Sequence, residues 1–122
     1  MKKVNTIKKY REFKEILNKK KFLKNDLFCL YFRNNDYAYT RIGILVTKKN
    51  GNAVIRNKIK RQTRSIIDSL TNYDVPIDVI VVINKKYDVN NFWKNKEQLA
   101  SVFNKVLGEK KWKKDLNKYL DF

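Results

Sequence analysis

The sequence is poor in the residues that carry most acid–base chemistry and most structural cross-links. Among its 122 residues there is no histidine, and cysteine occurs once, at Cys29. Without imidazole, the chain lacks the side chain used most often for proton transfer near neutral pH. One cysteine can form neither an internal disulfide nor a zinc site of several thiolates. These absences argue against a disulfide-stabilised domain, a zinc protein and a histidine-dependent enzyme.

Linkers and long apolar segments are also missing. Proline occurs once, at Pro76, and the three glycines are far apart along the chain, so nothing marks a boundary between domains. The apolar runs, such as that from Val79 to Ile83, are far below the ~20 residues that span a bilayer. The first residues, MKKVNT, lack the apolar core of a signal peptide. We therefore expect one soluble domain in the reducing cytoplasm.

Positive charge is what the chain has in excess. It carries 29 Lys and Arg against 12 Asp and Glu, a formal net charge of +17 at pH 7. So large a charge repels itself and favours a polyanionic partner. A compositional bias towards Lys, Asn and Ile would explain scattered lysines, but it explains clustered arginines less well. Nucleic acid is therefore favoured as the partner over an anionic membrane surface.

Hydrophobic periodicity predicts an α+β fold. The predicted elements are a helix over 9–20, strands over 27–32 and 39–47, a helix over 53–70, a strand over 77–83 and a helix over 91–107 that ends at Gly108. This order favours a single two-layer domain over 1–108, in which helices cover a mixed sheet. The rest, 109–122, is predicted to be a C-terminal tail, either a short extra helix or a frayed end.

The segment GNAVIRNKIKRQTRS, residues 51–65, concentrates positive charge without a single acid. On a helical wheel an isoleucine-rich stripe is predicted to pack on the sheet, and Arg56, Asn57, Lys60, Arg61 and Arg64 are predicted on the opposite side. Like charges four residues apart destabilise a helix by a few tenths of a kcal/mol. A solvated helix face is the alternative, but a phosphate partner explains the arginines better because their forks match phosphate oxygens.

Two further lysines, Lys48 and Lys49, come just before this helix. Gly51 provides an open backbone there, and Asn52 is predicted to be the N-cap. The lysines would add positive charge beside a helix N-terminus, which already favours anions. Taken alone, the segment is explained better as an ordinary capped turn with two surface lysines.

The stretch from Val46 to Arg64 resembles the signature of the protein subunit of bacterial ribonuclease P, in the pattern KKxGxAVxRNxxKRxxR. The resemblance extends over roughly 7–107, through Arg11-Glu12-Phe13, Phe28 to Tyr31, Asp78 to Ile83 and Phe92-Trp93. It implies a ribosomal-protein-domain-like fold with a left-handed βαβ crossover. It also implies a role beside a catalytic RNA that removes the 5′ leader from precursor tRNA by phosphodiester hydrolysis and leaves a 5′ phosphate.

The resemblance assigns roles to individual residues. It places the contacts to the RNA subunit at Arg56, Asn57, Lys58, Lys60, Arg61 and Arg64, and the contacts to the leader at Phe13, Leu17, Tyr31, Lys48 and Lys49. Lys58 stands where Arg is frequent, and Leu17 stands where an aromatic is common, so Leu17 can pack against a base but cannot stack well. The alternative for the apolar leader residues is a purely structural place in the core.

The implied partners are ribonuclease P RNA and precursor tRNA, with no membrane and no obligate protein partner. The protein is expected to be a subunit of an endoribonuclease with no catalytic or metal-binding residue of its own. Mg²⁺ is expected in the RNA-containing holoenzyme rather than on the protein alone.

Other classes of protein fit the residues less well. A self-sufficient nuclease would need paired acids for metal ions, but the acids are dispersed and none lies in the basic signature. A helix-turn-helix protein needs two helices joined by a short turn, whereas the basic helix lies between predicted strands. A membrane-surface protein needs a free apolar helix face, and here that face is required for the core. A ribosomal or general RNA-binding protein would share the charge but would not need this spaced signature.

Overall fold

The structure, a computed structural model, describes the backbone of residues 1–120 and the side chains of residues 1–108. Its elements in chain order are α1 (Tyr10–Asn18), β1 (Phe22–Lys24), β2 (Phe28–Asn34), β3 (Arg41–Leu45), α2 (Ala53–Leu70), β4 (Ile77–Ile83) and α3 (Phe92–Leu120). Short 3₁₀ turns lie at Lys3–Asn5 and Lys48–Asn50. The predicted bounds of α2 and β4 are confirmed, while α1 and β3 are shorter than predicted.

The strands form one mixed sheet in the order β1-β2-β4-β3. β2 pairs antiparallel with β1 and with β4, whereas β3 and β4 are parallel neighbours, so α2 is the crossover between them. In the register, Val81 at the centre of β4 lies opposite Leu30 of β2 and Ile44 of β3. The α+β fold with a mixed sheet is therefore confirmed, and the left hand of the crossover stays a prediction.

One face of the sheet is fully covered by α2 and α3. Alternate residues of β2 and β4 point into this layer, and Leu30 and Val81 are completely buried there. From α2, Ile59 and Ile66 pack against them, which confirms the predicted isoleucine stripe, and Phe103 of α3 completes the layer. Each such side chain contributes about 1.5–3 kcal/mol by leaving water. This face is the main core of the domain.

Among the described helices, α1, which has nine residues, is the one that lies on the opposite face of the sheet. Ile7, Ile16 and Ile80 are buried beneath it. The side chains around them are only partly buried: Phe13, Leu17, Tyr31, Leu45 and Val82. The second face is therefore covered incompletely, and the half-buried side chains beside α1 line the candidate cleft.

Two features differ from the prediction. Strand β1 was not predicted, because three residues are too few to reveal an alternating pattern. The predicted end of α3 at Gly108 is wrong, since the helix continues to Leu120. Gly108 faces open space and has no positive φ, so it interrupts neither the packing nor the backbone. The separate status of 109–122 stays a prediction, and its side chains lie outside the described residues.

Candidate nucleic-acid interface

The entry to α2 is a rigid, well-capped turn. Thr47 and Asn50 form a capping box around Lys48–Asn50, and Gly51 follows at φ 130°, a conformation that L side chains rarely adopt. The side chain of Asn52 then accepts a hydrogen bond from the Ile55 amide at 3.0 Å, which confirms the predicted N-cap. Lys48 and Lys49 are both exposed on this turn. Their backbone is therefore fixed while their ammonium groups stay in solvent.

The predicted RNA-binding residues of α2 do not all lie on one side. Asn57, Arg61 and Arg64 are exposed and point away from the sheet, and Lys58 is exposed on one flank. Arg56 and Lys60 are half-buried. The prediction that these two face fully outward is wrong, because 100° per residue places them beside the buried stripe formed by Ile59 and Ile66.

The cations of α2 are left unneutralised by the side chains that the structure describes. Among the described residues, no salt bridge includes Arg56, Lys58, Lys60, Arg61 or Arg64. The Nε of Arg56 is shielded from solvent and has no hydrogen-bond partner. The one acid of α2, Asp68, lies near its C-terminal end and accepts from the Met1 amino group at 2.7 Å. The helix thus holds several guanidinium and ammonium groups that are free to meet phosphates.

A second pair of lysines extends this basic surface. Lys85 and Lys86 are exposed in the loop after β4. Asn50 Nδ2 donates to the Asn84 carbonyl at 2.9 Å, which ties this loop to the turn that carries Lys48 and Lys49. Sequence reasoning missed Lys85 and Lys86. The signal that could have found them is topological, because parallel neighbours such as β3 and β4 end at the same edge of a sheet.

Three of the five predicted leader residues come together in the candidate cleft beside α1. Phe13, Leu17 and Tyr31 are all half-buried around the Ile16–Ile80 cluster. The ring of Phe13 lies directly on β3, and a Cβ added to Gly43 would stand only 2.6 Å from the Phe13 Cζ. A glycine is therefore required beneath this ring, a role that sequence reasoning did not assign to Gly43.

The polar groups of the cleft floor stay neutral. Burial raises the pKa of the Tyr31 hydroxyl, and the neighbouring Cys29 adds to this effect. Burial also raises the pKa of the Cys29 thiol, although the contact with Tyr31 and the charge of Lys24 act in the opposite direction. Both groups therefore carry their protons at neutral pH, and the Tyr31 hydroxyl can act as a hydrogen-bond donor.

A buried ion network holds α1 in place on the sheet. Asp78 is fully buried and accepts hydrogen bonds from both Arg41 Nε and Nη2, at 2.9 and 2.8 Å, and from Arg33 Nε at 3.1 Å. Arg41 Nη2 also donates to Glu12 at 2.5 Å, and Arg33 Nη1 donates to Glu15 at 3.3 Å. Two carboxylates of α1 are thus tied to the sheet, which sets the position of Phe13 and Leu17.

The charge state of this network follows from its partners. Burial alone would raise the pKa of Asp78, but hydrogen bonds from Arg41, Asn35 and Arg33 outweigh it, so the pKa lies below the ordinary value of 3.8. The Asp78 carboxylate, acting against the cost of burial, raises the pKa of Arg41 above its ordinary value. Asp78 and Arg41 are therefore both ionised at neutral pH.

The described residues offer neither a metal site nor a membrane span. In this part of the chain, no group of three or more His, Cys, Asp and Glu side chains is placed to hold a metal ion. Within the same part, every helix is too short or too polar to cross a bilayer.

Comparisons with known proteins identify relatives of the chain. The family model described as Ribonuclease P matches residues 1–107. The "Ribonuclease P protein component" of Mycoplasma mycoides is 47% identical over 87 residues, which are 70% of this chain and 80% of that protein. The component of Mesoplasma florum is 41% identical over 101 residues, 81% of this chain and 92% of that protein.

Solved structures give the same result. The RNase P protein of Staphylococcus aureus superposes with a TM-score of 0.73 at 32% identity, covering 84% of this chain and 94% of that one. The RNase P protein of Thermotoga maritima superposes with a TM-score of 0.66 at 32% identity, covering 79% of this chain and 92% of that one.

Proposed function

Because the chain belongs to the family of bacterial ribonuclease P proteins, we propose that α2 binds the RNA subunit and that the cleft beside α1 binds the 5′ leader of precursor tRNA. The protein is a subunit of the ribonucleoprotein endoribonuclease that removes this leader and so forms the mature 5′ end of tRNA. In this proposal the two tasks are divided between the two faces of the sheet: α2 lies on one face and α1 on the other.

The observation that supports binding of the RNA subunit is the unpaired positive charge of α2. Arg56, Arg61 and Arg64 have no carboxylate partner within the described residues. The repulsion they cause is relieved when phosphate groups replace solvent around them. Asn57 and Lys58 lie among them and add donors for phosphate or ribose. Lys60 extends the same surface towards the sheet.

The cleft beside α1 supports the second task. It combines the aromatic side chains of Phe13 and Tyr31 with the aliphatic Leu17, all partly accessible. Aromatic side chains near a positive rim suit single-stranded nucleic acid, because every base has a face that can stack. Lys48 and Lys49 supply that rim at the C-terminal end of β3. A leader in the cleft would therefore meet rings and ammonium groups together.

Chemistry is assigned to the RNA in this proposal. The described side chains offer no grouping that fits a divalent metal, so we place Mg²⁺ on the RNA of the holoenzyme. The protein contributes by neutralising phosphates and holding the leader in one orientation. We place this activity in the cytoplasm, the compartment in which bacterial precursor tRNA is made.

Reconstitution tests the proposal directly. With a bacterial ribonuclease P RNA at low magnesium, the purified protein is expected to stimulate leader removal, and protein alone is expected to cleave nothing. Tyr31→Ala should weaken binding of precursor tRNA by ~1–3 kcal/mol, the scale of one stacked base, and should leave mature tRNA unchanged. Equal loss for both tRNA forms, together with a lower melting temperature, would instead assign Tyr31 to the core. Cleavage by protein free of RNA would contradict the subunit role.

A further inference from the structure

A second aromatic ring lies beside Tyr31 at the edge of the sheet. Phe22, in β1, is 40% exposed, and its ring centroid is 5.2 Å from that of Tyr31 with an angle of 45° between the planes. The two residues are direct partners in the antiparallel register, so their side chains lie on the same face of the sheet. That face is the one that α1 covers incompletely.

The edge position of β1 keeps this pair of rings accessible. β1 pairs with β2 on one side, and it is the last strand of the sheet on the other. Neighbouring strands lie ~4.8 Å apart, so β1 is about 14 Å from β3, on which Phe13 rests. The row from Phe13 through Tyr31 to Phe22 therefore crosses the whole sheet, over a length that exceeds a single nucleotide.

Positive charge surrounds the exposed ring. The turn into β1 and the strand itself read KKKFLK from Lys19 to Lys24, and no described salt bridge includes any of these lysines. Lys24 lies two residues after Phe22, on the same face of the strand, and its charge acts on the Cys29 thiol of that face. A ring with cationic neighbours and an open edge is a poor protein-core element but a good platform for a nucleobase.

We propose that Phe22 and Tyr31 form a nucleobase-stacking subsite at the β1 edge, which takes a nucleotide of single-stranded RNA as it leaves the cleft beside α1. The inference rests on the proposed binding of the leader in that cleft, and it extends the bound length beyond Phe13 and Tyr31. Lys24 would accompany the phosphate of the same nucleotide. The subsite contributes affinity only when the leader is long enough to reach β1.

A series of precursor tRNAs whose leaders differ by single nucleotides tests this requirement. Binding to the holoenzyme is measured for wild type and for Phe22→Ala. For short leaders the two should be equal. Beyond a threshold length the wild type should gain about 5- to 150-fold in affinity, the range of one stacked base, and Phe22→Ala should not gain it. Phe22→Trp should keep the gain, whereas Phe22→Leu, which retains apolar cover without a ring, should lose most of it.

A control variant removes an even more exposed ring elsewhere. Trp93, at the start of α3, is 76% exposed and lies outside the cleft cluster. Trp93→Ala should leave the dependence on leader length unchanged. Melting temperatures of all variants, and binding of mature tRNA, separate a lost base contact from a smaller folded fraction.

The possible failures are distinguishable. If Phe22→Ala matches wild type at every leader length while Tyr31→Ala loses precursor affinity, the β1 subsite is wrong and the cleft stands. If neither variant changes the ratio of precursor to mature affinity, the cleft itself is wrong and the subsite falls with it. If Phe22→Ala weakens both tRNA forms equally and melts earlier, Phe22 only packs against Tyr31, which also overturns the subsite.

Discussion

Arginines occur in two contrasting settings in this molecule. On the sheet, Arg33 and Arg41 are largely buried and share the carboxylate of Asp78. On α2, Arg61 and Arg64 are exposed, and no described salt bridge includes them. The first pair fixes the position of α1, whereas the second keeps its hydrogen-bonding capacity open to solvent. The same side chain thus either joins a carboxylate network or stays available, according to whether an acid lies within reach.

The contrast has an energetic basis. A buried guanidinium without a carboxylate is very costly, so the sheet arginines are useful only as part of a complete network. An exposed guanidinium costs little by itself, and repulsion between neighbours on a helix is only a few tenths of a kcal/mol. Stability should therefore depend on the sheet network, and RNA affinity should depend on α2.

The largest effect on stability is expected from Asp78→Asn. The amide would turn an NH₂ group towards the guanidinium groups of Arg33 and Arg41. It would leave these two largely buried cations with only the more exposed carboxylates of Glu15 and Glu12 as counter-charges. We expect a loss of ~3–5 kcal/mol in the free energy of unfolding, measured by urea denaturation. Asp74→Asn, at an exposed acid just before β4, is the matched control and should change little.

The pH dependence identifies the cause of this loss. The pKa of Asp78 lies below 3.8 in the folded protein, so its stabilisation is complete above that pH and is lost as the pH falls through the folded-state pKa. The difference between wild type and Asp78→Asn should therefore be constant at about pH 5–7. In stronger acid this difference should shrink by up to ~1.4 kcal/mol per pH unit, because the Asp78 carboxylate is protonated in the unfolded chain at a higher pH than in the folded protein. A difference that stays constant in strong acid would mean that charge is not its origin.

The next effect concerns RNA binding. Replacing Arg56, Lys60, Arg61 and Arg64 together by Gln should reduce the salt slope of RNA-subunit binding by up to about 3.6, that is ~0.9 for each lost phosphate contact if the site behaves like a duplex. The free energy of unfolding should stay the same or rise slightly, because like-charge pairs are removed. The slope is measured by a salt titration with ribonuclease P RNA.

A charge-matched control separates a local contact from net charge. Four exposed lysines outside α2, Lys2, Lys3, Lys94 and Lys105, are replaced by Gln in a second protein. Its salt slope should change much less than that of the α2 variant. Equal slopes in the two variants would mean that RNA responds only to total charge, and the assignment of α2 would then be wrong.

A smaller effect is expected where the cleft meets the sheet. In Gly43→Ala the new methyl group would lie 2.6 Å from the Phe13 Cζ, so the ring must move. Overpacking of this kind costs ~1–3 kcal/mol of stability. Because the ring is displaced, precursor tRNA should bind less tightly, while mature tRNA and the RNA subunit should be unaffected. A folded variant with an unchanged ratio of precursor to mature affinity would exclude Phe13 from the leader site.

The smallest effect completes the comparison of ion pairs. Arg11 and Glu15 form an exposed i,i+4 pair on α1 at 3.5 Å. Arg11→Gln should change the free energy of unfolding by only ~0.3–0.5 kcal/mol, since water and salt screen such pairs. Comparison with Asp78→Asn shows how far the contribution of an ion pair to the free energy of unfolding depends on whether the pair is exposed or buried. A loss above about 1 kcal/mol, the upper end for exposed pairs, would show that Arg11 has a structural role beyond this pair.

Much of the fold followed from local signals in the sequence. The bounds of α2 were predictable because Asn52 caps its start and a regular isoleucine stripe spans its length. β4 was predictable as a run after Pro76 that is apolar except for Asp78. The end of α3 was not, because a glycine stops a helix only where a left-handed residue is needed. Strand β1 is defined by its pairing with β2, and its three residues are too few to predict that pairing.

The candidate site was predictable to a different degree in each part. The signature located the cations of α2 and the turn before it, but it could not reveal that Arg56 and Lys60 lie on the flank. The Arg41–Asp78 contact depends on the parallel register of β3 with β4. The hydrogen bond from Asn50 to Asn84, which joins the turn of Lys48 to the loop of Lys85, depends on the same pairing. Residues 37 positions apart meet there through topology, which no local pattern contains.

The crossover that contains α2 also governs how the chain can fold. β3 and β4 are adjacent in the sheet, yet the whole of α2 separates them along the chain, so a large loop must close before they pair. The β1–β2 hairpin is local and can form early, whereas β4, which lies between β2 and β3 in the sheet, can pair with both only after the chain segment that contains α2 has closed. Repulsion among the cations of α2 disfavours the helix while that segment closes. Before RNA is bound, the positive charge of this helix should therefore lower the rate of refolding more than it lowers the free energy of unfolding.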